Sequence, residues 1–324
     1  MLEKEIFTIT SSEEFERIAL QVFNYQHENT KVYREFCDFL NTNPSNVKSL
    51  LDIPFLPIQF FKSHRVISQE VSESITFTSS GTTGYKTSKH LVADLDIYKK
   101  SFSEAFQKSY GPPANYAILA LLPSYLEREG SSLIYMVDHL IKDSQNPHSG
   151  FYLDDISHLI EKLLELEKRG QKTLLLGVSY ALLDLIELRK FNLKNTIVME
   201  TGGMKGRRKE LVKTELHEIL KNGFGVSAIH SEYGMTELLS QAYSKGNGLF
   251  NCPPWMKILT RDPEDALTFI QEKTGGINVI DLANLYSCSF IATQDLGKIH
   301  NAESFEIIGR FDTSDIRGCN LMVL

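Results

Sequence analysis

At 324 residues, 42% of them hydrophobic and 23% charged, the chain is long enough for one large or two smaller domains with a substantial buried core. Its 34 basic and 41 acidic side chains leave a formal charge of −7, which disfavours a broadly basic nucleic-acid-binding surface while allowing local cationic loops. Four cysteines (Cys37, Cys252, Cys288, Cys319) form no C-x-x-C pair, arguing against a zinc ribbon or disulfide scaffold and for a reducing, cytoplasmic setting.

The N-terminus lacks a basic region followed by an apolar core, so no signal peptide is expected. Ser11 and Glu14 are spaced as a capping box, and residues 11–27 read as a helix with Phe15, Ile18, Ala19 and Phe23 on one face. A second helix is expected over residues 31–40. Ile53-Pro54-Phe55-Leu56-Pro57-Ile58 is too proline-rich for a central strand. Residues 75–78 have the β-branched and aromatic content of a short strand, and residues 94–110 read as a helix. Residues 116–122 form a buried apolar strand, followed by a polar loop over 124–132. Further on, a helix is expected over 155–168, a strand over 173–176, a helix over 180–188, a strand over 196–199, a helix over 209–221 and a strand over 226–229. The stretch 173–188 is the most apolar, but Gly177, Ser179 and Asp184 interrupt it, so no membrane span is expected.

Strands and helices thus alternate from about residue 75 to 230. The expected fold class is α/β, with parallel-sheet layers covered by helices plus a small β-rich part after residue 250. In such sheets ligands gather at the carboxyl ends of the strands, where the polar loops of this chain are expected to lie.

Two loops carry chemistry. Ser79-Ser80-Gly81-Thr82-Thr83-Gly84 follows the strand at 75–78 and precedes Lys86 and Lys89. Its hydroxyls and flexible backbone N–H groups suit an anion, yet its composition equally describes an ordinary surface turn. The spacing is neither that of a Walker P-loop nor that of a dinucleotide-binding glycine fingerprint. The second loop is Ser231-Glu232-Tyr233-Gly234-Met235-Thr236-Glu237. Taken alone, Glu237 is a metal ligand or a solvated carboxylate opening a helix, and Tyr233 a core or rim aromatic.

Together, Ser79 to Gly84 and Tyr233-Gly234-Met235-Thr236-Glu237 resemble the phosphate loop and Tyr-Gly-x-Thr-Glu motif of the acyl-adenylate-forming superfamily. Thr293-Gln294-Asp295-Leu296-Gly297 resembles its Thr-Gly-Asp-Leu-Gly motif, with Gln294 in place of Gly, and Gly309-Arg310-Phe311-Asp312 resembles its hinge. Gly202 and Gly203 match a glycine pair beside the adenine. Within the superfamily, further stretches are similar to the acyl-protein synthetases of bacterial bioluminescence systems, among them Pro253-Pro254-Trp255-Met256 and Asp315-Ile316-Arg317-Gly318-Cys319.

The resemblance implies ATP and Mg²⁺ as cofactors and a carboxylic acid, such as a fatty acid, as substrate. It assigns Ser79, Ser80, Gly81, Thr82, Thr83 and Gly84 to the β- and γ-phosphates, Thr236 to the α-phosphate and Glu237 to Mg²⁺. Tyr233, with Gly234, would pack on adenine, and Asp295 and Arg310 would fix the ribose. It also implies a lid beyond the hinge carrying a catalytic lysine, whereas this sequence stops twelve residues after Asp312. Another cation is therefore expected to substitute, with Lys205, Arg207 and Arg208 as candidates beside a solvated-turn reading. Cys319, five residues from the end, matches the stretch in which such synthetases carry the acyl group before handing it to a partner reductase. An unreactive terminal cysteine is the alternative.

The expected organisation is an adenylate-forming domain over residues 1–308 (helical 1–74, α/β core 75–250, β-rich 251–308) and a hinge-like tail over 309–324. The expected activity is ATP-dependent activation of a fatty or related acid and transfer to a protein thiol. An acid:CoA ligase of the phenylacetate type and a non-catalytic nucleotide-binding module remain alternatives.

Overall fold

Strands Ala117–Leu121 and Thr173–Val178 are buried at every position, the run of apolar residues a strand needs when helices cover both of its faces. The structure, a computed structural model, describes residues 2–79, 87–122, 130–202, 208, 211–301 and 304–311. In chain order the strands are β1 (Leu56–Pro57), β2 (Ile75–Thr78), β3 (Lys89–Val92), β4 (Ala117–Leu121), β5 (Gly150–Phe151), β6 (Thr173–Val178), β7 (Thr196–Thr201) and β8 (His230–Tyr233). They continue as β9 (Ala242–Ser244), β10 (Leu249–Asn251), β11 (Met256–Arg261), β12 (Phe269–Ile270), β13 (Gly275–Asp281), β14 (Phe290–Asn301) and β15 (Ser304–Arg310).

One sheet runs in the order β12-β11-β13-β14-β15-β10-β9-β8-β7-β6-β4-β5. From β5 to β8 the neighbours are parallel; from β8 to β12 they are antiparallel. The chain is thus α/β as expected, and its β-rich part continues the same hydrogen-bonded sheet. Helices start where side chains cap them: Ser11 Oγ accepts from Glu14 N at 3.2 Å, and Asp94 and Asp155 accept from the N–H groups of Asp96 and His158 at 2.8 and 2.9 Å.

The helix Ser12–Asn29 docks on the antiparallel half through Gln26. Its buried amide donates to the carbonyls of Asn284 and Leu285 at 2.9 Å each and accepts from Ser289 N at 2.9 Å. Phe23, Tyr33 and Phe55 close around Phe290 of β14.

Four elements depart from the sequence expectation. β2 does not belong to the parallel layer; it pairs antiparallel with β3, Phe77 opposite His90. Ser79 and Ser88 extend that ladder, Ser79 N donating to Ser88 O at 3.1 Å and Ser88 N to Ser79 Oγ at 2.9 Å. A parallel return would need a crossover of a dozen or more residues, which the segment between β2 and β3 does not provide. The loop at residues 79–84 therefore springs from a hairpin rather than from the end of a parallel strand.

The strand expected at 226–229 lies four residues later, at His230–Tyr233, because the helix Lys213–Phe224 runs further than expected and closes at Gly225 with φ +66°. Ser131 and Ser132, expected in a polar loop, cap and open the helix Ser132–Ser144, with Ser131 Oγ accepting from Ile134 N at 3.4 Å. Finally, the proline-rich Leu56–Pro57 does pair, parallel to Ile291–Ala292 of β14, on the edge that β15 leaves free. Two residues suffice there, and Pro57 needs no ladder N–H because Ile58 N donates to Ala292 O at 3.0 Å.

Candidate active site

β8 and the turn after it organise the site. Side chains alternate along a strand, so His230 and Glu232 face one side of the sheet and Ser231 and Tyr233 the other. On the first side lies the helix Leu95–Tyr110, whose Tyr110 hydroxyl is 3.1 Å from His230 Nδ1. On the second lies the helix Lys213–Phe224, whose His217 is 3.4 Å from Ser231 Oγ.

Tyr233 donates its hydroxyl to Asp295 Oδ2 at 2.8 Å, and Arg310 Nε donates to Asp295 Oδ1 at 2.9 Å. Asp295 and Arg310 face each other directly across β14 and β15. Gln294, which replaces a glycine in the motif, is accommodated because it lies in extended β14; its carbonyl accepts from Phe311 N at 2.8 Å. Phe250 and Phe305 back the Tyr233 ring at centroid distances of 5.9 and 5.7 Å.

Between Thr236 and Ser240 the backbone has no regular ladder, so side chains satisfy it. The buried His90, on β3, has Nδ1 2.9 Å from Thr236 O and Nε2 2.8 Å from Ser287 Oγ, and burial holds its pKa down at about 4. Asn284 donates to Glu237 O at 2.8 Å. Asp281 accepts from the N–H groups of Leu239 and Ser240 at 2.8 and 2.9 Å and from Ser240 Oγ at 2.6 Å; burial nevertheless raises its pKa to about 6. Through His90 the hairpin that bears the 79–84 loop is fastened to the turn that bears Thr236 and Glu237.

Glu237 is 6% exposed. Burial raises its pKa, opposed by the Ser88 hydroxyl and by the charges of Lys62 and Arg310. Among the described residues no cation pairs with it within 4.0 Å. Glu237, the hairpin base at Ser88 and the Tyr233–Asp295–Arg310 cluster therefore share one region. Gly234, next to Tyr233, is required for a steric reason on the other face of the sheet: a Cβ there would meet Glu232 Oε1 at 2.5 Å.

Gly202 follows β7, exposed with φ +65°, and its carbonyl accepts from Ser179 Oγ at 3.0 Å. Arg208 pairs with Asp184 and with Glu187, at 2.6 Å from Glu187 Oε1. Ser80, Gly81, Thr82, Thr83, Gly84, Gly203, Lys205, Arg207, Asp312 and Cys319 lie outside the described residues. Cys252 packs against the core, and burial pushes its thiol well above the usual range.

Sequence reasoning missed His90, Asp281, Asn284, Lys62 and a buried pair beneath the site. Glu200 on β7 meets Lys213 Nζ at 2.8 Å and His217 Nε2 at 3.4 Å. Burial opposes its charge, but Lys213 and the hydrogen bonds outweigh it and hold the carboxyl at about 2. Lys213 also lies 4.7 Å over the Phe250 ring. Arg261 is similarly embedded, donating to the carbonyls of Ile277 and Thr293 at 2.8 and 2.6 Å. A carboxylate directly after the apolar run Ile197-Val198-Met199 was the available signal for Glu200.

In architecture the chain resembles solved adenylate-forming ligases. An open conformation of 2-hydroxyisobutyryl-CoA ligase, in complex with 2-HIB-AMP and CoA, superposes with a TM-score of 0.70 at 13% identity, covering 94% of this chain and 77% of the other. ATP-bound MatB from Rhodopseudomonas palustris gives 0.54 at 19% identity, covering 72% and 47%. The fold is that of the acyl-CoA ligase-like adenylate-forming enzymes.

Within that class the sequence points more narrowly. Residues 9–125 match the family described as "Acyl-protein synthetase, LuxE". Long-chain-fatty-acid–luciferin-component ligases are similar over nearly the whole chain: that of Vibrio harveyi is 23% identical over 341 residues, covering 94% of this chain and 86% of the relative. That of Aliivibrio fischeri is 21% identical over 333 residues, with the same coverage.

Proposed function

We propose that this chain uses ATP to activate a fatty or related carboxylic acid as an acyl adenylate and passes the acyl group to a protein thiol. The observation that carries the reading is the hydrogen-bonded cluster Tyr233–Asp295–Arg310 standing in one region with Glu237 and the Ser79–Ser88 hairpin base. A carboxylate offers about four acceptor positions. Asp295 uses two, for Tyr233 and Arg310, and keeps capacity for a pair of ribose hydroxyls. Tyr233, stiffened by Phe250 and Phe305, is the adenine platform. Thr236, its carbonyl fixed by His90, meets the α-phosphate, and the 79–84 loop meets the β- and γ-phosphates.

The residues present fit Mg²⁺. Among the described residues no three His, Cys, Asp or Glu side chains converge on a metal position. Mg²⁺ commonly takes only one or two carboxylates, with phosphate oxygens and waters completing its shell. Glu237 suits that role as a buried carboxylate without an ion-pairing cation among the described residues. When bound, the ion neutralises charge on the phosphate oxygens. The chain's own part is positioning: Asp295 and Tyr233 fix the nucleoside, Thr236 orients the α-phosphate, and the acid's carboxylate attacks phosphorus as pyrophosphate leaves.

The reading keeps residues 1–308 as the adenylate-forming unit, with residues 309–324 as a hinge-like tail that brings Cys319 to the adenylate as acyl acceptor. The thiolate would displace AMP, forming a thioester, and a partner reductase would take the acyl group onward. Lys205 is the favoured candidate cation from the segment after Gly202, with Arg207 and Arg208 as the others. No described helix is long and apolar enough to cross a membrane, and a cytoplasmic setting follows from the use of ATP.

Acid-dependent ATP–pyrophosphate exchange tests the first step, with acids from acetate to long-chain fatty acids. Exchange is expected, and Glu237→Gln should lower it about a hundredfold. No exchange with any acid, or full exchange in the variant, overturns the reading. Hydroxylamine-labile acylation that persists in Cys319→Ser excludes that residue as acceptor.

A further inference from the structure

On the face of β8 opposite Tyr233, the structure gathers polar groups that the nucleotide chemistry does not use. Tyr243 stands directly across from Glu232 on β9, so their side chains share a face. Gln241 precedes Tyr243 by two residues and lies on the same side. The position of a Gly234 Cβ is 2.5 Å from Glu232 Oε1 and 3.3 Å from Gln241 Cγ, so these two side chains flank the glycine of the motif.

All three residues are more than nine-tenths buried: Gln241 and Tyr243 are 4% exposed and Glu232 8%. Glu232 accepts from Thr201 Oγ1 at 2.5 Å. The Tyr243 hydroxyl and Gln241 Oε1, in contrast, are buried without a hydrogen-bond partner among the described residues. A buried polar atom left unpaired is costly, and two such atoms on one face beside the site are unusual in a folded protein. Phe106 and Tyr110 surround the Tyr243 ring at 6.3 and 5.4 Å, so the orphaned atoms are set in apolar walls.

The chemistry of the two atoms is complementary. A hydroxyl on a ligand donates one hydrogen bond and accepts another; Gln241 Oε1 accepts and Tyr243 OH donates. With the nucleotide on the Tyr233 face, the Glu232 face beside Gly234 is left for the acid. This step rests on the adenylation reading above.

We propose that the acid activated here carries a hydroxyl close to its carboxyl group, held between Tyr243 OH and Gln241 Oε1 beside Glu232. A plain fatty acid would bury both atoms unpaired, whereas the hydroxy acid satisfies them, so the site selects the substituted acid.

The test is ATP–pyrophosphate exchange with chain-matched pairs, a plain acid against its 2-hydroxy and 3-hydroxy forms, in wild type, Tyr243→Phe and Gln241→Met. One hydroxy form is expected to exceed the plain acid in kcat/KM by at least about tenfold, and each variant should cut that ratio about tenfold. Thermal unfolding of the free variants should be unchanged or higher, since each substitution removes an orphaned polar atom. Exchange with equal kcat/KM for plain and hydroxy acids, or a preference that survives both substitutions, overturns the proposal and leaves adenylation standing. Exchange with no acid overturns adenylation and the proposal with it.

Discussion

Glu200 and Glu232 occupy neighbouring strands one residue out of step, Glu200 opposite Ser231 and Thr201 opposite Glu232. Both are buried, yet Glu200 is held at about 2 and Glu232 is pushed up to about 7. The difference lies in what each face supplies. Glu200 has Lys213 and His217 to offset its burial. Glu232 has chiefly the Thr201 hydroxyl, among phenols, and the charge of Glu200 raises it further. One face of the sheet is built to hold charge, the other to hold neutral hydrogen-bonding groups. On the reading proposed above, the nucleotide lies on the first and an uncharged part of the substrate on the second.

Removing the countercharge on the charged face should have the largest effect. Lys213→Met leaves Glu200 buried with His217 and the hydroxyls of Ser179 and Ser231 but without its lysine countercharge, and takes the cation off the Phe250 ring. Breaking a buried pair from one side costs about 3–5 kcal/mol. Denaturant unfolding at pH 7 should show that loss. The sign with pH follows from the lowered folded-state value: Glu200 stabilises above its unfolded pKa near 4.5 and loses that contribution as pH falls through about 2. The gap between wild type and Lys213→Met should therefore narrow in acid; a constant gap down to pH 2 breaks the comparison.

Glu232 should behave in the opposite sense. Its folded-state pKa is raised, so the folded protein keeps a proton that the unfolded chain releases. Stability from this group falls as pH rises from about 4.5 to about 7 and is flat beyond. Glu232→Gln keeps a neutral hydrogen-bonding group and should be more stable than wild type above pH 7, by on the order of 3 kcal/mol. Asp281, raised to about 6, slopes the same way in both proteins and cancels in the difference. Unfolding curves from pH 4 to 8 that stay parallel would place Glu232 in an environment like that of Glu200.

How much of this was legible in the sequence depends on which residues carry it. The parallel layer was readable because β4 and β6 are predominantly apolar, and the first long helix because Ser11 and Glu14 are spaced as a capping box; Asp94 and Asp155 cap two further helices whose starts were expected there. Tyr233, Asp295 and Arg310, far apart in the chain, were marked by motif and meet in space. β8 was displaced because its residues, His230, Ser231, Glu232 and Tyr233, are polar, and an apolar rule prefers the Val226 to Ile229 stretch. Strand residues beside a site are polar for the site's sake. The helix Ser132–Ser144 was missed behind two serines, although Ile134, Val137, Leu140 and Ile141 repeat at helical spacing. His90, Asp281 and Asn284 act through backbone groups of a distant turn, and one-dimensional spacing carries no trace of such contacts.

The smallest effect should come from Tyr233→Phe. The ring keeps its contacts with Phe250 and Phe305, and Asp295 keeps Arg310, so only one hydrogen bond to a carboxylate is lost. The Arg310 side chain is 77% exposed and competes with water, so the Tyr233 hydroxyl is the better-shielded of the two groups orienting Asp295. A hydrogen bond to a charged group is worth about 1.5 kcal/mol at the low end, or roughly tenfold in affinity. The KM for ATP in the exchange reaction should rise by about that factor, with kcat less affected. Unfolding stability should move little, because Asp295 remains paired. If instead the variant loses stability while KM for ATP stays put, Asp295 is a strut joining β8 to β14 rather than a ribose ligand. The charged face would then be structural throughout.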